Sequence, residues 1–137
     1  MSQVNTESLN NFRVYSEDTD FMGIVYHANY LKFFERARSE FMRKKGITIP
    51  ALVAANTQLA IHDIQIKFLH PAKLDDLLTI ETKVIMQKAC SLIFQQIMTH
   101  QKRLISQATV HVVCLDENLK PKRLPKDIDT LFVAEYG

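Results

Sequence analysis

A chain of 137 residues has room for one domain with a core of its own, and 47% hydrophobic with 23% charged residues excludes extended disorder. A net charge of +2 excludes nucleic-acid binding by bulk electrostatics, and no apolar run approaches the roughly 20 residues that span a bilayer. Cys90 and Cys114 lack metal-ligand spacing and residues 1–12 are polar with no secretory leader, so one domain over 1–137 in a reducing cytoplasm is expected.

The pattern opens with a strand near Phe12 to Ser16 and then an acidic stretch, Glu17 to Arg38 (EDTDFMGIVYHANYLKFFERAR), that runs into an aromatic-rich helix. From Asn29 to Lys45, Tyr30, Phe33, Phe34, Ala37 and Phe41 recur at three-to-four spacing, which predicts an amphipathic helix. Arg43, Lys44 and Lys45 suit its negative end, and Gly46 is placed to close it at C′. Arg36, Arg38 and Arg43 are expected on the exposed face, pairing with Glu35 and Glu40.

A short helix around Pro50 to Ala55 is followed by a change to period two. Ile64, Ile66 and Phe68 alternate with Asp63, Gln65 and Lys67, and Leu78, Ile80, Val84 and Met86 alternate with polar neighbours. Ser91 to Thr99 and Leu104 to Leu115 read as two more strands around a polar turn, His100 to Arg103. One helix and five strands make an α+β fold in which a curved antiparallel sheet buries one face against the helix. There is no internal repeat.

The acidic stretch carries the candidate chemistry. Asp18 and Asp20 stand ahead of Gly23, which permits a tight turn, and a helix begins within a few residues. The first N–H groups of a helix lack intrahelical partners and carry the positive end of its dipole. A carboxylate beside such a terminus offers a nucleophile or base next to an oxyanion site. An isolated aspartate here would more often be a turn or helix-entry residue. No G-x-S-x-G, Walker loop or G-x-G-x-x-G is present, and the histidines at 27, 62, 70, 100 and 111 have no metal-binding spacing.

Asp18-Thr19-Asp20-Phe21-Met22-Gly23-Ile24-Val25-Tyr26-His27-Ala28-Asn29-Tyr30 resembles the signature of hotdog-fold acyl-CoA thioesterases of the 4-hydroxybenzoyl-CoA thioesterase-like family, in particular its Tol-Pal-associated group. KFLHPAKLDD, Lys67 to Asp76, and the closing KPKRLPK extend the resemblance over roughly Phe12 to Phe132. It implies a hotdog fold, with Asp20 as catalytic nucleophile or general base and the His27 backbone N–H as oxyanion donor, while Asp18 shapes the turn. Gly23 would serve the substrate site through its backbone path, and Lys120, Lys122 and Arg123 would meet the phosphates of coenzyme A, beside Lys126. Phe21 and Met22, where relatives carry smaller residues, would reshape the acyl pocket; Tyr15 and Tyr30 would pack. No metal or redox cofactor is implied. The expected partners are an acyl-CoA substrate or an acyl carrier protein, and a second or fourth copy of the chain. The rivals to acyl-CoA hydrolysis are an acyl carrier protein thioesterase and a non-catalytic acyl-thioester binder.

Overall fold

The computed structural model describes residues 8–126 and 128. The polar residues 1–7 and the far end of the resemblance at Phe132 lie outside them. In chain order the elements are β1 (Leu9–Arg13), α1 (Tyr30–Lys44), α2 (Ile49–Ala54), β2 (Gln58–Phe68), β3 (Leu77–Lys88), β4 (Ser91–His100) and β5 (Arg103–Leu115). Single turns of 3-10 helix at Ser16–Asp18 and His27–Asn29 lie between β1 and α1. The strands form one antiparallel sheet in the order β1-β3-β4-β5-β2, so β1 and β2 are its edges.

The apolar spacing of α1 places Phe33, Phe34, Ala37 and Phe41 in the core, with Leu78, Ile80 and Val84 of β3, Leu92, Phe94 and Met98 of β4, and Val110 and Val112 of β5. Each fully buried phenylalanine contributes about 1.5–3 kcal/mol. This is the expected helix against a curved antiparallel sheet, the hotdog arrangement. Gly46 closes α1 as its position predicts: at φ +84 it donates to Arg43 O, and Ile47 N–H reaches Met42 O at 2.9 Å. Those two bonds are a Schellman motif, with Met42 and Ile47 both buried behind it. Thr48 caps α2 by accepting Ala51 N–H, and the helix spans Ile49–Ala54, one residue earlier than expected.

Bulges correct the simple alternation. On β2 the register shifts between Ile61 and Asp63, and the extra residue leaves Leu59 and Ile61 on the same face as Ile64 and Ile66. On β3 the shift between Val84 and Met86 ends the inward run at Val84, so Met86, expected inward, is exposed together with Ile85. The opening strand also ends earlier than expected, at Arg13, and Tyr15 is exposed rather than packed. Among the described residues no helix is long and apolar enough to cross a membrane.

Candidate active site

The motif folds as a small hairpin. Thr19 bridges Val25, Asp20 N–H donates to Ile24 O, and Gly23 N–H donates to Asp20 O at 3.1 Å. Gly23 adopts φ +78, a left-handed conformation that a side chain at this position would strain. Its carbonyl accepts Leu74 N–H from the segment after β2, so both backbone groups of Gly23 are already bonded. The hairpin is laid along the segment that follows β2: Ile24 bridges Lys73, and Val25 N–H donates to Ala72 O at 2.8 Å.

The two aspartates have different surroundings. Asp18 is buried; its Oδ2 accepts Tyr15 N–H at 2.9 Å and its Oδ1 accepts Asn29 Nδ2 at 2.8 Å, which ties the 3-10 turn before α1 to the end of the opening segment. Asp20 is half-buried, and its Oδ1 accepts Met22 N–H at 2.8 Å. Its Oδ2 has no hydrogen-bond partner among the described residues. Of the two carboxylates, then, Asp20 is the one with an oxygen available to a reactant.

His27 opens the 3-10 turn that continues into α1, two residues beyond the Thr19–Val25 bridge. Its N–H precedes any intrahelical acceptor, and its exposed ring lies 4.3 Å from that of Tyr26. Tyr30, buried at the head of α1, accepts Ala72 N–H on its hydroxyl at 3.0 Å and packs edge-on against Phe68. Burial pushes the Tyr30 phenol up, so it stays protonated at neutral pH. Asp20, Gly23 and His27 are thus gathered at one end of the sheet, beside the head of α1. Among the described residues nothing covers Phe21 and Met22 in a pocket: Phe21 is 97% exposed and Met22 is exposed beside it at the hairpin tip.

The basic segment lies at the other end. Lys122 N–H bonds Cys114 O, and Lys122 Nζ donates to Ala55 O, Asn56 O and Thr57 Oγ1, immediately before β2. The hairpin, by contrast, bonds Ala72 and Lys73, immediately after β2. An 11-residue strand separates them, about 36 Å at 3.3 Å per residue. Within one chain, Lys120, Lys122 and Arg123 are therefore not brought to Asp20, and the Lys122 ammonium already fastens the loop between α2 and β2.

The exposed-face reading of Arg38 is corrected. Arg43 pairs with Glu40 at 3.3 Å, but Arg38 is only 7% exposed. It donates from Nη1 to Gln96 Oε1 at 3.0 Å; Gln96 Nε2 donates to Phe34 O and to Thr82 Oγ1. Burial lowers the Arg38 pKa to about 10, against a smaller upward pull from Glu35, so it remains a cation at neutral pH. The signal was in the spacing: Arg38 stands four residues after Phe34 and three before Phe41, and Thr82 and Gln96 hold inward positions between Ile80 and Val84 and between Phe94 and Met98.

Residues 14–132 match the family described as the Thioesterase-like superfamily. The chain belongs to that superfamily. It is 41% identical over 126 residues to the acyl-CoA thioester hydrolase YbgC of Escherichia coli O6:H1, covering 90% of this chain and 91% of that protein. To the acyl-CoA thioesterase YbgC of Haemophilus influenzae it is 43% identical over 123 residues, 88% of this chain and 90% of the relative. The crystal structure of a probable thioesterase from Bartonella henselae superposes with a TM-score of 0.81 at 38% identity, covering 85% of this chain and 98% of that one.

Proposed function

We propose that the protein hydrolyses acyl-CoA thioesters to a free acid and coenzyme A, in the cytoplasm and as a homodimer or a pair of dimers. The observation that carries the reading is the free Oδ2 of Asp20 in a hairpin fastened beside a helix start whose leading N–H, that of His27, has no acceptor among the described residues. In this reading the thioester oxygen sits on the His27 N–H, where the helix dipole stabilises negative charge as the carbonyl becomes tetrahedral. Asp20 attacks the carbonyl carbon, expelling the thiolate and leaving a mixed anhydride for water to cleave, or it takes the proton of an attacking water. The relatives named as acyl-CoA hydrolases support the substrate class, and the D-x-D to Asn29-Tyr30 motif supports the Tol-Pal-associated group.

The edges of the sheet support the oligomer. Among the described residues β2 is an open edge of eleven residues carrying exposed Ile61 and Phe68, a length of strand that folded proteins shield or pair. Two copies joined antiparallel along β2 would set the Lys122 end of one beside the hairpin end of the other. Coenzyme A phosphates then meet Lys120 and Arg123 of the second copy, while Lys122 holds their loop. A panel of acyl-CoA substrates assayed for released thiol tests the activity; no release from any aliphatic or aromatic acyl-CoA would overturn it.

A further inference from the structure

Arg38 is a buried cation that feels the exposed carboxylate of Glu35 without pairing with it. Among the described residues it makes no ion pair, its one hydrogen bond is to Gln96, and Nε and Nη2 have no acceptor. A guanidinium is rarely buried unless paired, because removal from water must be offset by an opposite charge or a full set of acceptors. Glu35, three residues earlier on α1, is exposed and outside ion-pair distance.

The same guanidinium lines a cavity of about 360 Å³ between α1 and the β2 side of the sheet. Glu35 and Ser39 also line it, and the remaining walls are apolar: Met42, Ile49, Leu59, Ile61, Phe94 and Val112. A largely apolar chamber whose planar cation makes one hydrogen bond and no ion pair, with Glu35 and Ser39 as its other polar walls, is suited to an aliphatic chain that ends in a carboxylate, which matches two parallel N–H groups of a guanidinium.

We propose that this cavity is an acyl subsite and that Arg38 selects acyl groups bearing a distal carboxylate, the half-thioesters of medium-length dicarboxylic acids. The inference rests on the thioesterase reading and on pairing of two copies along β2. Leu59 and Ile61, the outer wall, belong to the first half of that strand. Full-length antiparallel pairing sets this half opposite the second half of the other copy's β2, which leads directly into the other copy's hairpin. A thioester held at one copy's Asp20 thus has its acyl tail directed at the second copy's cavity.

The test compares adipoyl-CoA with hexanoyl-CoA, and suberoyl-CoA with octanoyl-CoA, pairs equal in carbon number and different only in the terminal carboxylate. In the wild-type protein kcat/KM should favour the dicarboxylic member by at least about tenfold at one of the two lengths, the scale of a hydrogen bond to a charged group. Arg38→Met should bring that ratio to one or below, and Arg38→Lys should keep part of it. Hydrolysis of the neutral substrates with no preference in the wild type would overturn the inference and leave the thioesterase reading standing. If none of the four is hydrolysed, thermal unfolding decides: a Tm raised by free adipate or suberate but not by hexanoate or octanoate, and not in Arg38→Met, keeps the subsite, whereas equal shifts or none overturn it. A carboxylate of the second copy seated on Arg38 would give the same overturning result.

Discussion

At the scale of single residues, the two aspartates of one motif divide between frame and chemistry. Asp20→Asn keeps an oxygen to accept Met22 N–H, so the hairpin should persist while turnover falls by about 10²–10⁴-fold, the usual contribution of a positioned acid or base. A released-thiol assay beside a thermal melt checks this; an effect on KM alone would make Asp20 a binding residue. Asp18→Asn should act through stability. Both Asp18 oxygens accept N–H groups, and an amide can present only one oxygen to them, so about 1–3 kcal/mol of unfolding free energy should be lost in denaturant titration. The motif made Asp20 legible as a candidate because the order aspartate, glycine, helix start is local. The Asp18 clamp was legible only as a turn, since its partner Asn29 comes from the next segment. Arg38 was misread because a charged side chain in an apolar stripe was assigned to solvent by type, although its spacing put it inside.

Elements show the same division. The long helix, its glycine stop and the four later strands follow from period and end signals, which operate within a few residues of one another. The bulges at Ile61/Asp63 and Val84/Met86 do not, because a register shift is decided by the partner strand. Joints between elements rest on single polar side chains. Tyr30→Phe removes the acceptor of Ala72 N–H between the head of α1 and the segment after β2, and should cost about 1–3 kcal/mol. The raised Tyr30 pKa sets a pH signature. The unfolded phenol ionises near 10 and the folded one higher, so the stabilisation is complete below pH 10 and is lost as pH rises through the folded pKa. Denaturant melts at pH 9 and pH 11 should therefore differ more in the wild type than in Tyr30→Phe.

For the whole molecule, the separation of hairpin and basic loop along β2 makes assembly testable by complementation. Asp20→Asn chains refolded together with chains carrying Lys120→Ala and Arg123→Ala should recover about a quarter of wild-type activity, because half of the random dimers are mixed and each has one intact site. If each site belonged to one chain, mixing would recover nothing beyond the average of the two variants. Sedimentation over a dilution series should show a dimer or tetramer near micromolar concentration. The strand order carries one more consequence, for the newborn chain. β2 has no partner in the sheet until β5 exists: Gln58 pairs with Leu115, 57 positions later. At roughly 5–20 residues per second, the ribosome leaves the start of this strand waiting about 3–11 s for its neighbour. The apolar edge that would later join two finished chains is therefore exposed during synthesis, and a stall before β5 is the point at which this protein is most open to capture by a chaperone or by another nascent copy.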